Sequence, residues 1–169
     1  MRNFFRIAAF GIVASLALSA CNKEGGEAEK AAQQQAAAPT LPTDPANTTA
    51  WKAYLVDVVK RNMQGVTSGH PYMYFVPAGD DQAKQDERIN QLENVKTVVA
   101  RTVLPGNMMA FGGPDSKLTA DLIVDAFKDA QAGAFKDVIV LFIGAAADRD
   151  RVGQALATSG ATYRFVEMK

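Results

Sequence analysis

From Asn47 onward the chain carries regular patterns of apolar and polar residues. Apolar residues at helical spacing predict a first helix that begins at Asn47 or Thr48 and ends before Gly65. The apolar stripe of this helix comprises Trp51, Leu55, Val58 and Met63. The aromatic and β-branched run at residues 72–76 predicts a strand. Strand and helix patterns alternate along the rest of the chain, as they do in α/β domains.

One motif occurs three times: a strand that ends near a phenylalanine, then a glycine, then an aspartate that opens a helix. The copies are residues 74–80, 110–115 and 141–148. We expect Asp115 or Ser116 to cap the second of these helices and Gly133 to end it. The third helix is expected to run from Asp148 to about Ser159. Three copies predict three successive strand–helix units.

The segment before residue 104 has two interpretations. Ile89, Leu92, Val99 and Val103 form the apolar stripe of a long helix that the Pro105-Gly106 turn would end. Residues 95–103 are also β-branched enough for a strand, which the same turn could return into residues 108–111 as a hairpin. The strand–helix repeat favours the helix.

The last two predicted strands complete the fold class. Residues 138–143 are apolar at every position, as expected of a central parallel strand that is covered on both faces. Residues 163–167 alternate well enough for a final edge strand. We therefore predict a small three-layer α/β domain with right-handed crossovers and a mainly parallel four-stranded sheet, preceded by one helix. The order of the strands stays open.

The first 20 residues have the pattern of a secretory signal peptide. Arg2 and Arg6 give a positive start, and residues 7–20 follow without a charge and end in small side chains. A bilayer-spanning helix needs roughly 20 apolar residues, so this run is too short for one. The pattern predicts export from the cytoplasm.

Residues 18–21, Leu-Ser-Ala-Cys, resemble the lipobox of bacterial lipoproteins. In that family the cysteine is lipidated and becomes the first residue of the mature chain, which implies that acyl chains on Cys21 anchor the protein in a bilayer. Asn22 stands where an aspartate tends to retain such proteins in the inner membrane. The resemblance thus implies anchoring in the outer membrane, with the domain facing the periplasm. The alternative is an ordinary signal peptide that is cut after Ala20.

The segment after the cysteine is rich in Ala, Gln and Glu and then carries Pro39, Pro42 and Pro45. It lacks an apolar face to bury, which predicts a flexible tether with a span of roughly 25 to 30 Å. The expected organisation is therefore a signal peptide at residues 1–20, a lipidated cysteine and tether at residues 21–47, and a periplasmic domain at residues 48–169.

Charge and cysteine content narrow the classes of function. The 169 residues contain 18 basic and 18 acidic side chains. The chain therefore lacks the excess of basic residues that is typical of nucleic-acid-binding proteins. The single cysteine is expected to carry lipid, which leaves none for a disulfide, a thiolate nucleophile or a zinc site.

Ligands of open α/β sheets bind outside the carboxyl ends of the strands. Three predicted loops meet at that edge, and they contain our candidates for ligand binding: Asp80, Asp81, Asp115, Ser116, Asp148 and Asp150. Their oxygens could hold Mg²⁺ or serve acid–base chemistry. Helix capping, worth about 1 kcal/mol for each residue, explains the same positions and is favoured. The glycine-rich loops match neither GxGxxG nor a Walker A motif.

A Ser-His-Asp hydrolase would require His70, the only histidine, which precedes the first strand. Ser116 follows a strand, and a five-residue strand separates the two edges by roughly 17 Å. We therefore predict no catalytic residue. The sequence favours a non-enzymatic module that binds a periplasmic protein or an envelope polymer. The alternative is a small-ligand or metal-dependent site at the carboxyl edge of the sheet.

Overall fold

The computed structural model describes residues 39–169, and the predicted signal peptide, Cys21 and the tether as far as residue 38 lie outside the described residues. The helices are α1 (Thr48–Arg61), α2 (Gln82–Arg101), α3 (Ser116–Phe127) and α4 (Arg149–Leu156). The strands are β1 (Tyr72–Phe75), β2 (Met108–Gly112), β3 (Ile139–Gly144) and β4 (Thr162–Glu167). Within this part of the chain, no helix is long and apolar enough to cross a membrane.

The four strands form one parallel sheet in the order β1-β2-β3-β4. Each crossover moves one place in the same direction, so α2, α3 and α4 all lie on one face of the sheet. Helix α1 covers the other face. The prediction of a small three-layer α/β domain is confirmed, and the sheet is wholly parallel.

Two apolar cores hold the layers together. Between the sheet and the three crossover helices, an aromatic row crosses the sheet from strand to strand: Tyr74, Phe111, Phe142 and Phe165. The rings of Tyr74 and Phe111 stack with their centroids 4.8 Å apart. The second core packs α1 against the opposite side chains of the same strands, with Trp51, Leu55, Met108, Leu141 and Ile143 buried there. The alternation of these two sets of side chains fixes the register of the sheet.

The interpretation of residues 82–101 as a helix is correct, and the alternative of a strand at residues 95–103 is wrong. Val95 and Val99, one helical turn apart, are both buried against the sheet, as a helix requires and a hairpin would not. The helix ends at Arg101, where Thr102 adopts a φ of 59° and a ψ of 160°.

Two predicted helix bounds differ from the structure. Helix α3 ends at Phe127 rather than at Gly133, which lies in the following loop with a φ of 72°. The third predicted helix is divided into α4 and two flanking 3₁₀ turns, Ala146–Asp148 and Ala157–Ser159. Gly160 closes this segment in a left-handed conformation, as expected.

Packing begins before α1. Leu41 packs against the core beneath α1, and the indole Nε1 of Trp51 donates a hydrogen bond of 3.0 Å to the carbonyl oxygen of Asp44. Asn47 then caps the helix by accepting from the N–H of Ala50 at 3.0 Å. The last residues of the predicted tether therefore contact the domain.

Candidate functional site

Two of the predicted site residues cap helices at the carboxyl edge of the sheet. Asp81 accepts a hydrogen bond of 3.0 Å from the N–H of Lys84 and so caps α2. Asp115 accepts one of 3.0 Å from the N–H of Leu118 and caps α3. In each case the side chain satisfies a backbone donor that the helix itself leaves without a partner. The geometry agrees with the capping interpretation of these two residues.

Ser116 and Asp148 are the two predicted site residues that the fold brings into direct contact. The Ser116 hydroxyl donates a hydrogen bond of 2.5 Å to Asp148, a length typical of a hydroxyl bonded to a carboxylate. The same hydroxyl accepts from the N–H of Ala145 at 2.7 Å. Both hydrogen-bonding functions of the serine are therefore used to attach α3 to the loop that follows β3.

Arg151 extends this contact into an ion-pair network, which we call the Arg151 clamp. Its Nε donates to Asp148 at 2.8 Å, one Nη to Asp121 at 2.6 Å and the other to the carbonyl oxygen of Lys117 at 3.0 Å. Lys117 also pairs with Asp121, at 2.8 Å. Partial burial alone would raise the pKa of Asp121, but the hydrogen bonds from Lys117 and Arg151 outweigh it and hold that pKa below its usual value. The clamp ties α3 to α4.

The remaining candidates are exposed. The side chains of Asp80 and Asp150 lie on the surface, Asp80 before α2 and Asp150 in the first turn of α4. Among residues 39–169, no three acidic, histidine or cysteine side chains gather as a metal ion would require. His70 is exposed in the loop before β1, at the edge of the sheet opposite to Ser116.

The strand order explains why the carboxyl edge has this character. In doubly wound sheets a crevice opens where neighbouring connections leave toward opposite faces. Here the strands follow in the order β1-β2-β3-β4, and all three crossover helices pack on the same face. The sheet therefore lacks the topological switch point on which the expectation of a ligand crevice depended.

A different feature, a groove along the outer edge of β1, remains without a structural partner. Its volume is about 420 Å³, and a smaller depression of about 220 Å³ continues it past Phe75 and Pro77. Met73 and Phe75 lie at its base and Lys52 of α1 flanks one side. The other side is formed by residues of α2: Glu87, Asn90, Gln91 and Asn94. We call this feature the β1 groove.

The backbone at the base of the β1 groove has hydrogen-bonding groups that the sheet does not use. The N–H of Val76 donates to the carbonyl oxygen of Gly112 at 2.9 Å, so Val76 faces β2. Because the hydrogen-bonding direction alternates along a strand, Tyr74 faces β2 as well. The N–H and C=O groups of Met73 and Phe75 therefore point outward, into the groove.

The two outer strands differ in how their edges are protected. Strand β4 carries Arg164 and Glu167, and the guanidinium of Arg164 donates to the carbonyl oxygens of Asn62 and Gln64 at 2.7 and 2.6 Å. Strand β1 carries no charge, and its Tyr72 and Met73 are 46% and 36% exposed. Charged side chains are a usual protection of strand edges against pairing. The edge of β1 lacks that protection.

Polar side chains at the ends of strands do not indicate the β1 groove, because the groove lies along the side of a strand. The signal available was the uncharged strand itself, residues 72–75, together with the amides Asn90, Gln91 and Asn94 on the following helix. No known protein family, no curated protein and no solved structure matches the chain. The fold and the β1 groove are therefore the features from which a function can be inferred.

Proposed function

We propose that this protein is an outer-membrane lipoprotein, anchored through acyl chains on Cys21, whose periplasmic domain binds another component of the envelope and catalyses no reaction. A tether would connect the domain to the lipid anchor, and the β1 groove would be the surface that binds the partner. The observation that carries this proposal is the uncharged, unpaired edge of β1 at the base of that groove.

The proposed localisation depends on the resemblance of residues 18–21 to a lipobox and on the signal-peptide pattern of the residues before them. Several acyl chains would make the anchoring stable, because one chain alone binds a bilayer only marginally. A tether that ends at the domain near Leu41 suits a module that must reach a partner some distance from the bilayer.

The polar contacts at the carboxyl edge favour binding over catalysis. Ser116, the one candidate nucleophile there, has its hydroxyl engaged by Asp148 and Ala145. Asp148 is in turn paired with Arg151. A nucleophile would need a base that is available to take its proton. These groups instead stabilise the junction between two helices.

Photo-cross-linking in intact envelopes tests the proposal. We would replace Asn94, in the β1 groove, with p-benzoylphenylalanine, and make the matched replacement at Gln154, an exposed helix position near the β4 edge. The proposal expects a discrete cross-linked product from position 94 and none from position 154. Equal labelling from both positions, or none from either, would contradict it.

A further inference from the structure

The β1 groove has the hydrogen-bonding pattern of a missing strand. The outward N–H and C=O groups belong to Met73 and Phe75, two residues apart, which is the repeat at which one strand bonds to its neighbour. Two residues of extended chain span about 6.6 Å, so both sets of groups fall within reach of one short peptide. A polypeptide backbone supplies donors and acceptors at this spacing.

The charge of the groove indicates the chemistry of its occupant. Glu87 is paired with Lys84 at 3.0 Å, which offsets its charge. The Lys52 ammonium lies 5.5 Å from the ring centroid of Phe75, and within the described part of the chain no carboxylate pairs with it. Lys52, which has no ion-pair partner among the described residues, thus places an ammonium beside the outward backbone groups, and an acidic side chain there would complement it.

The walls indicate which side chains of a peptide would face which helix. Met73 and Phe75 point to the α1 face of the sheet, where Lys52 lies. The α2 wall offers the side-chain amides of Asn90, Gln91 and Asn94, which can both donate and accept hydrogen bonds. Alternate residues of an added strand would thus meet an apolar and cationic surface on one side and amides on the other.

We propose that an extended polypeptide segment with an acidic residue adds to β1 as an outer strand, with its acidic side chain toward Lys52. This inference rests on the proposed function of the β1 groove as a binding surface, and it names the partner. A second copy of the domain fits less well, because its own α1 and α2 flank its β1 and would meet the walls of the groove before the strands could pair. A single extended chain has no helices on either side of it, so it can approach β1 without meeting the walls of the groove.

The experiment uses the protein purified from envelopes in a mild detergent and a phage-displayed library of random nine-residue peptides. Selection is run in parallel against the parent protein, Met73→Pro and Glu167→Pro. Proline at position 73 removes an outward N–H without touching the bonds to β2, and proline at position 167 makes the matched change on the β4 edge. We expect enriched sequences with a shared acidic position, retained by Glu167→Pro and lost with Met73→Pro.

Synthetic versions of the enriched peptides test the geometry without altering the protein. Methylating the peptide nitrogens that face β1 should weaken binding about three- to tenfold for each bond removed. Methylating the alternate nitrogens, which face away, should leave affinity unchanged. Lys52→Glu should shift selection from acidic to basic peptides, with a two- to fivefold loss for the original ones.

The inference is overturned if no sequence is enriched, if both methylation registers act alike, or if Lys52→Glu leaves the charge preference unchanged. It is also overturned if envelope cross-linking from position 94 captures a glycan, although the proposed function then stands. Capture of only a second copy of this chain would refute both. The opposite result is also possible: peptides bind and lose affinity with Met73→Pro, but position 94 gives no cross-link in envelopes. That result would refute the proposed function and leave the strand addition supported.

Discussion

Gly113 offers a sharp test of how the ends of β1 and β2 fit together. A Cβ built at Gly113 would lie 2.0 Å from the carbonyl oxygen of Val76 and 2.9 Å from its carbonyl carbon. Both are backbone atoms, so no side-chain rotation can relieve the contact. Gly113→Ala must therefore move the chain where the N–H of Val76 bonds to Gly112.

We expect Gly113→Ala to cost about 3 kcal/mol, at the upper end of the range for overpacking, because the backbone must shift. For a domain of this size each kcal/mol lowers the melting temperature by about 3 to 5 °C, so the expected drop is about 9 to 15 °C. Thermal unfolding followed by circular dichroism measures it. This glycine would then be required for close backbone packing, rather than for the approach of an anion that a glycine-rich loop can also indicate.

Two other glycines provide matched controls. Gly69→Ala places its Cβ in open space at a negative φ and should be neutral or stabilising by up to about 1 kcal/mol. Gly133→Ala also meets open space, but at a φ of 72°, and should cost about 1 kcal/mol. If Gly113→Ala unfolded no earlier than Gly133→Ala, the close approach of Val76 to Gly113 would be refuted.

Three further predictions follow from other parts of the chain. Thr102→Gly should raise the free energy of unfolding by about 1 kcal/mol in denaturant titration, because a β-branched residue is strained at a φ of 59°; a loss would contradict the strain. Arg151→Met should cost about 1 kcal/mol at pH 7. The lowered pKa of Asp121 makes its share of that stability present above its unfolded pKa of about 4 and lost as the pH falls through the folded value, so parent and variant should converge in acid unfolding. Cys21→Ser should move the protein from the membrane to the soluble fraction, and Asn22→Asp should move it to the inner membrane; unchanged fractionation would refute the lipobox assignment.

The strand–helix repeat was predictable from the sequence because its cause is local. The apolar run at residues 138–143 and the capping residue Asp115 each belong to short segments whose neighbours determine them. In the first copy the cap is Asp81 rather than Asp80, and in the third copy Asp148 makes no capping hydrogen bond. The repeated aromatic also has a physical basis, since Phe111 and Phe142 lie side by side in one row across the sheet. In the first copy, however, Tyr74 occupies that row and Phe75 faces α1, which the spacing alone did not distinguish.

The order of the strands could not be read from the sequence, and the site depends on it. Each βα unit looks the same locally whether the next strand is added on one side or the other, so the sequence left open which strands become edges. With the order β1-β2-β3-β4, the carboxyl edge has no switch-point crevice. Asp81 and Asp115 cap helices there, and Ser116 and Asp148 join α3 to the segment after β3. The same order makes β1 an edge strand.

An edge strand without charges is a liability unless something covers it or it serves a purpose. Strand β4 carries Arg164 and Glu167, whereas β1 carries no charged residue and exposes Tyr72 and Met73. If β1 were simply unprotected, Met73→Glu should reduce aggregation of the purified protein and change nothing else. If the β1 groove receives an acidic strand, the same change should also abolish cross-linking from position 94, because it places a like charge beside Lys52. The two outcomes separate an incidental edge from a binding edge, and the asymmetry between β1 and β4 favours the second.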